Sequence, residues 1–303
     1  MKTLTTLNVL ERKDLKKDLK KNHLIISRVT HTLVLNVPGP NTLVIQIPEP
    51  KTLVIHVPGP NNLVNYISGH NILVIYVPGP NTLVIHILGP NTLVFHIPGP
   101  NTLVINVSGP NTLVIHFPGS NTLIIYVPGP NTLIINVPGP NTLVIYIPGP
   151  NTLVIHVPEP KNLVIHVPGP NDPVINVPGP TTLDFHVSGH NTLNTYVTGL
   201  NTLVIYVRGL HPSYVPGTNT LVIYVPGPNT LDFHVSGHNL LNIYVTGLNT
   251  PVIYVLGQYP SYVPGTNTIA IYVPGLNTLV FHVSGHNTYA IYLPGLSYSC
   301  FRG

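Results

Sequence analysis

The sequence predicts an all-β tandem array, coiled as a β-solenoid, and three observations predict it. A decapeptide close to Asn-Thr-Leu-Val-Ile-His/Tyr-Val-Pro-Gly-Pro runs in strict register from His31 to Leu210. It continues, with two eight-residue units, to Leu296. A fixed short period marks a repeat architecture rather than a globule. Positions 3 to 7 of the unit form a β-branched run bounded by Pro-Gly-Pro-Asn, which reads as a strand followed by a turn. Ten is an even number, so every repeat presents the same two faces.

Three segments follow in order. Residues 1–30 form a basic leader, with eight Lys or Arg and three acids. Within it, residues 1–22 are the one helix candidate. Leu4, Leu7, Leu10, Leu15 and Leu19 fall at three-to-five-residue intervals among lysines, the spacing of a short amphipathic helix. Residues 31–296 are the decapeptide array, and residues 297–303 are an unrelated tail expected to be disordered.

Inside the array the side chains alternate. Positions 3, 5 and 7 share one face, as in Leu83, Ile85 and Ile87, and that face is aliphatic nearly throughout. Positions 2, 4 and 6 share the other, as in Thr82, Val84 and His86. Pro at position 8 presets φ near −65° and Gly at position 9 supplies positive φ, the requirements of a type II turn. Glu49 and Glu159 replace that Gly, each in a Pro-Glu-Pro-Lys run whose Lys51 or Lys161 could pair with it. Those two corners are expected to be distorted or differently built. The eight-residue units, 211–218 and 259–266, lose two residues and so preserve the parity of the faces.

Stacked coils of two repeats, with Leu, Ile and Val inside, satisfy this pattern. An antiparallel meander satisfies it too when its loops are odd in length. A largely disordered or aggregating chain is the third alternative, because one repeat buries too little to stand alone. Inward defects add to the difficulty: Asn65 and Thr195 fall at position 5, Pro173 and Pro251 at position 3.

Composition excludes several function classes. The 273 residues after the leader carry four basic and five acidic groups, so the basic face that nucleic-acid binding requires is missing. Pro or Gly interrupts every repeat, leaving no apolar run of membrane-spanning length. The apolar stretch Leu4 to Leu10 is broken by Thr5, Thr6 and Asn8 and is read as no secretion signal. The acids of the array, Glu49, Glu159, Asp172, Asp184 and Asp232, are too scattered to pair as acid and base. No catalytic residue, cofactor site or small-molecule substrate is expected, and the chain is not expected to be an enzyme.

Histidine is the one residue type that invites chemistry. Most of the 16 His sit at position 6, and stacked coils could align them, for example His86 with His96 or His156 with His166. His-Val-Ser-Gly-His recurs at 186–190, 234–238 and 282–286. Imidazole is the commonest metal ligand, yet position 6 is shared by His, Tyr, Asn and Gln46, and Tyr replaces His poorly at zinc. A histidine ladder binding metal is therefore a distant alternative, and no metal residue is assigned.

Residues 181–228 and 229–276 are copies of one 48-residue block with ten differences. Val57-Pro58-Gly59 and its counterparts resemble the turn element of elastin-like polymers over three residues in ten. The Leu-Val-Ile run departs from those polymers, and no family is assigned. Two functional expectations follow. The first is a structural role through self-association of repeat faces or edges. The second is translation of an expanded 30-nucleotide minisatellite without a selected function.

Overall fold

The structure is a computed structural model. It describes residues 71–169 continuously and, on either side, the strands and a few adjoining corner residues. Two compact units are present, Met1–Asn151 and Thr152–Gly303. Both are β-solenoids, and no helix occurs among the described residues.

In the first unit, from Thr32 onward, each coil takes twenty residues and two strands. Thr92–His96 pairs in parallel with Ile72–Tyr76 on one side and with Thr112–His116 on the other. Thr82–Leu88 lies in a second parallel sheet, between Asn62–Ser68 and Thr102–Ser108. From Thr32 onward residue i of this unit therefore stands beside i+20: Leu93 beside Leu113, Ile85 beside Ile105. The pairing is parallel throughout, which decides for the solenoid and against the antiparallel meander. A parallel neighbour twenty residues away leaves room for a return strand and two corners, which a hairpin does not need.

Positions 3, 5 and 7 point inward. Leu93, Phe95 and Ile97 are fully buried, as are Leu103, Ile105 and Val107 from the other sheet. Three phenylalanines, Phe95, Phe117 and Phe185, are the largest of these buried side chains. Phe95 and Phe117 meet at 6.0 Å between ring centroids in a tilted arrangement.

The corners are joined coil to coil. Gly79 N donates to Pro98 O at 2.9 Å, and Gly99 N to Pro118 O at 2.8 Å. Gly79 and Gly99 hold φ at 68° and 72°, as the Pro-Gly pair predicts. That left-handed residue reverses the in–out alternation. Position 10, two residues before the next strand, is buried as a result: Pro80, Pro90, Pro100 and Ser120 all lie inside.

The second unit repeats this build. Thr182–His190 pairs in parallel with Asn162–Pro168 and with Thr202–Gly209, and Asp172–Pro178 pairs with Thr152–His156. Each eight-residue unit fills a whole half-coil. His211 stands opposite Leu231 and Tyr259 opposite Leu279, so the two missing residues are the corner pair Asn-Thr of positions 1 and 2. The strand keeps its faces because only the corner is shortened.

Strands also occur in the two terminal segments. Of the helix candidate 1–22, the described residues are Leu4–Asn8, and they form a strand paired in parallel with Thr32–Asn36. The exposed ladder of that strand offers backbone partners to five residues, whereas a short isolated helix is marginal. Residues 9–22 lie outside the described residues. In the segment after the array, Ser299–Arg302 pairs in parallel with Val280–Val283.

One expectation is corrected here, at Glu159. Its corner is built like the glycine corners: φ is 56°, and its N–H donates to Pro178 O at 2.8 Å. No ion pair joins it to Lys161. The ladder of coil-to-coil hydrogen bonds imposes the left-handed conformation on the glutamate in spite of its Cβ. Glu49 lies outside the described residues.

Candidate functional site

The chemistry-bearing side chains stand on the outer faces. Because coils stack in register, each outer position becomes a straight column running across the strands. Position 6 columns hold rings. In the first unit His56, Tyr76, His96 and His116 follow one another with centroids 5.1, 5.3 and 5.0 Å apart, the first pair tilted by 34° and the other two stacked. On the other sheet of that unit Tyr66 stacks on His86 at 5.5 Å and Tyr126 on Tyr146 at 5.3 Å. In the second unit His166, His186 and Tyr206 form a column at 5.9 and 5.5 Å. Strand spacing in a sheet, about 4.8 Å, sets these distances.

The histidine pairs expected from the sequence are not the pairs formed. His86 and His96 are one repeat apart and lie in different sheets of the first unit. His86 stands beside Tyr66 and Asn106 instead. His156 stands beside Asn176, and His166 stacks on His186. The stacking partner is two repeats away because a coil consumes two repeats.

The ring columns also bear on metal binding. His96 and His116 are 9° from parallel, and His166 and His186 are 4° from parallel. An imidazole lone pair lies in the ring plane, so parallel stacked rings aim their nitrogens along parallel lines instead of converging on one ion. Among the described residues no group of three His, Cys, Asp or Glu comes together as a metal site.

The His-Val-Ser-Gly-His motif divides between two places. His186 stacks on Tyr206 in a ring column, and His234 stands opposite Tyr254 in the backbone register. His190 and His238 stand opposite Gly209 and Gly257, where the register shifts. His286 lies outside the described residues. Asp184 Oδ1 lies 3.2 Å from His186 Nε2, which is ion-pair distance when the imidazole is protonated. The approach is not aligned as a hydrogen bond, and that oxygen has no hydrogen-bond partner.

Comparison with protein-family models, curated proteins and solved structures finds no match.

Two features of the outer and corner surfaces escaped sequence reasoning. The first is a pair of asparagine ladders at position 1. Asn91, Asn111, Asn131 and Asn151 each donate from Nδ2 to the Oδ1 of the asparagine one coil before, beginning at Asn71. Asn101, Asn121 and Asn141 do the same, beginning at Asn81. The near-constancy of Asn at position 1 was the available signal. The second is the burial of position 10, where Ser120 Oγ is enclosed without a partner. Asn65 and Thr195, expected as inward defects, are buried, and Asn65 Nδ2 and Oδ1 and Thr195 Oγ1 all lack partners. Pro173 is buried as well, opposite Leu153.

Proposed function

We propose that this chain is a structural, self-associating array without catalytic activity. The observation that carries the reading is the character of the outer faces of the first unit. Residues 52–151 contain no Asp, Glu, Lys or Arg. On those faces Tyr66, Ile72, Ile124, Tyr126, Ile134 and Tyr146 are among the large apolar side chains left exposed. Straight rows of such side chains, with no charge to repel a second copy, favour association. Their recurrence on several coils lets two faces meet in more than one register.

Sedimentation velocity on the full chain over a range of concentrations, together with far-UV circular dichroism, tests this. A β spectrum with concentration-dependent association is the expected result. A species that stays monomeric at every concentration sinks the reading.

A second reading, the translated minisatellite without a selected role, is favoured by the buried polar atoms of Asn65, Ser120 and Thr195. Unpartnered buried polar groups cost about 1–3 kcal/mol each. Drift in an unselected repeat leaves such groups in place. Silent and replacement differences between repeats in the coding DNA separate the readings. An excess of silent differences supports a selected protein, and equal rates support the minisatellite.

A further inference from the structure

We propose that tyrosines standing in register on neighbouring coils are sites of oxidative cross-linking to dityrosine, by a peroxide-driven haem peroxidase. The proposal rests on coil register alone and is independent of whether chains associate.

Tyr126 and Tyr146 are the defining pair. Their rings are 5.3 Å apart at the centroids and 4° from parallel. Both are open to a large oxidant, at 41% and 37% exposure. The adjacency recurs in the backbone register of the second unit: Tyr206 stands beside Tyr224, Tyr244 beside Tyr262, and Tyr272 beside Tyr292. Position 6 supplies most of the 16 tyrosines, while the chain has one cysteine and so no internal disulfide. Phenol coupling is thus the covalent bridge between coils that this composition allows.

The chemistry balances as follows. Each of two phenols gives up one electron and one proton and becomes a phenoxyl radical. Hydrogen peroxide accepts the two electrons and two protons and leaves as two molecules of water. The radicals join through the ring carbons ortho to oxygen, forming one C–C bond. The two ortho hydrogens then shift to the oxygens, restoring both phenols, so each bridge removes two hydrogen atoms from the protein. Exposed side chains change rotamer in picoseconds to nanoseconds, which lets parallel rings tilt their ortho carbons together. Holding two partners side by side raises their effective concentration far above that of separate chains.

The register also names tyrosines that stay unlinked within one chain. Tyr66 stands between Gln46 and His86, and Tyr76 between His56 and His96. Neither has a tyrosine on the adjacent coil.

The test treats the dilute full chain with a haem peroxidase and hydrogen peroxide, then isolates the monomer. Dityrosine fluorescence, intact mass and mapping of linked peptides are read on that fraction. The expected result is a monomer lighter by two hydrogens per bridge, with Tyr126 joined to Tyr146. Tyr126→Phe and Tyr146→Phe, which keep the ring, each abolish that bridge, and Tyr66→Phe leaves it unchanged. Unfolding in denaturant before oxidation removes the preference for this pair. Dityrosine confined to dimers and larger species overturns the proposal. So does a monomer in which Tyr66 or Tyr76 is bridged as often as Tyr126.

Discussion

Glu159 and Gly179, one coil apart, hold the same left-handed backbone conformation, at φ 56° and 76°. The glutamate Cγ lies 3.5 Å from where a Cβ on Gly179 would sit. One of these residues adopts that conformation freely, and the other is held in it by the hydrogen bond from its N–H to Pro178 O on the next coil.

Glu159→Gly therefore relieves strain without altering the corner. A left-handed conformation costs a residue with a Cβ roughly 1–2 kcal/mol, and glycine gives part of that back through unfolded-chain entropy. The expected net gain is about 1 kcal/mol, read as a higher urea midpoint at unchanged slope. A lower midpoint would show that the glutamate stabilises the corner in some other way.

Asn65 is the clearest weak point in the interior. It stands between Ile45 and Ile85 in the ladder, with both amide atoms buried and unpartnered. Asn65→Ile is expected to stabilise by about 3 kcal/mol, combining apolar burial with removal of the unmet amide. The same denaturation experiment reads it, and an unchanged midpoint would contradict the burial.

The asparagine ladder predicts a graded series. Asn111 donates to Asn91 and accepts from Asn131, so Asn111→Ala removes two bonds. Asn71 is the first member described and accepts from Asn91. These bonds are exposed, at the weak end of the range, so Asn111→Ala should cost about 1 kcal/mol and Asn71→Ala about half that. Equal losses at the two positions would mean that the ladder contributes nothing as a ladder.

A single charge on the outer face should separate association from folding. Ile134→Lys places an ammonium among side chains with no counter-charge, at a site already 40% exposed. Sedimentation is expected to shift toward monomer while the circular dichroism spectrum stays the same.

The faces of the strands, the positive φ of the corner glycine and the effect of the eight-residue units were readable from residue types and parity. Strand direction was not, because a period of ten keeps Leu83, Ile85 and Ile87 on one face in either a meander or a solenoid. The position of Pro80 was hidden for a different reason. Strict alternation from Val77 places it outside, and only the left-handed Gly79 turns it inward. The ring columns were half readable. Their chemistry lay at position 6, but the partner of His96 is His116 rather than His86, which needs the length of the coil. Glu159 defied expectation because an isolated turn would reject it, whereas a corner bonded to the next coil retains it.

Two repeats complete a coil, and the two half-coils are chemically alike. Insertion of a single decapeptide consequently transfers every later repeat to the opposite sheet without exposing any Leu, Ile or Val. Growth by odd numbers of units is then as harmless to the interior as growth by even numbers. What such a step rewrites is the vertical neighbourhood of each ring, since Tyr126 would no longer meet Tyr146 if one unit entered between them. Slippage in the gene would thus leave the scaffold in place while reshuffling its outer columns, and copy number becomes a heritable way to change surface pattern.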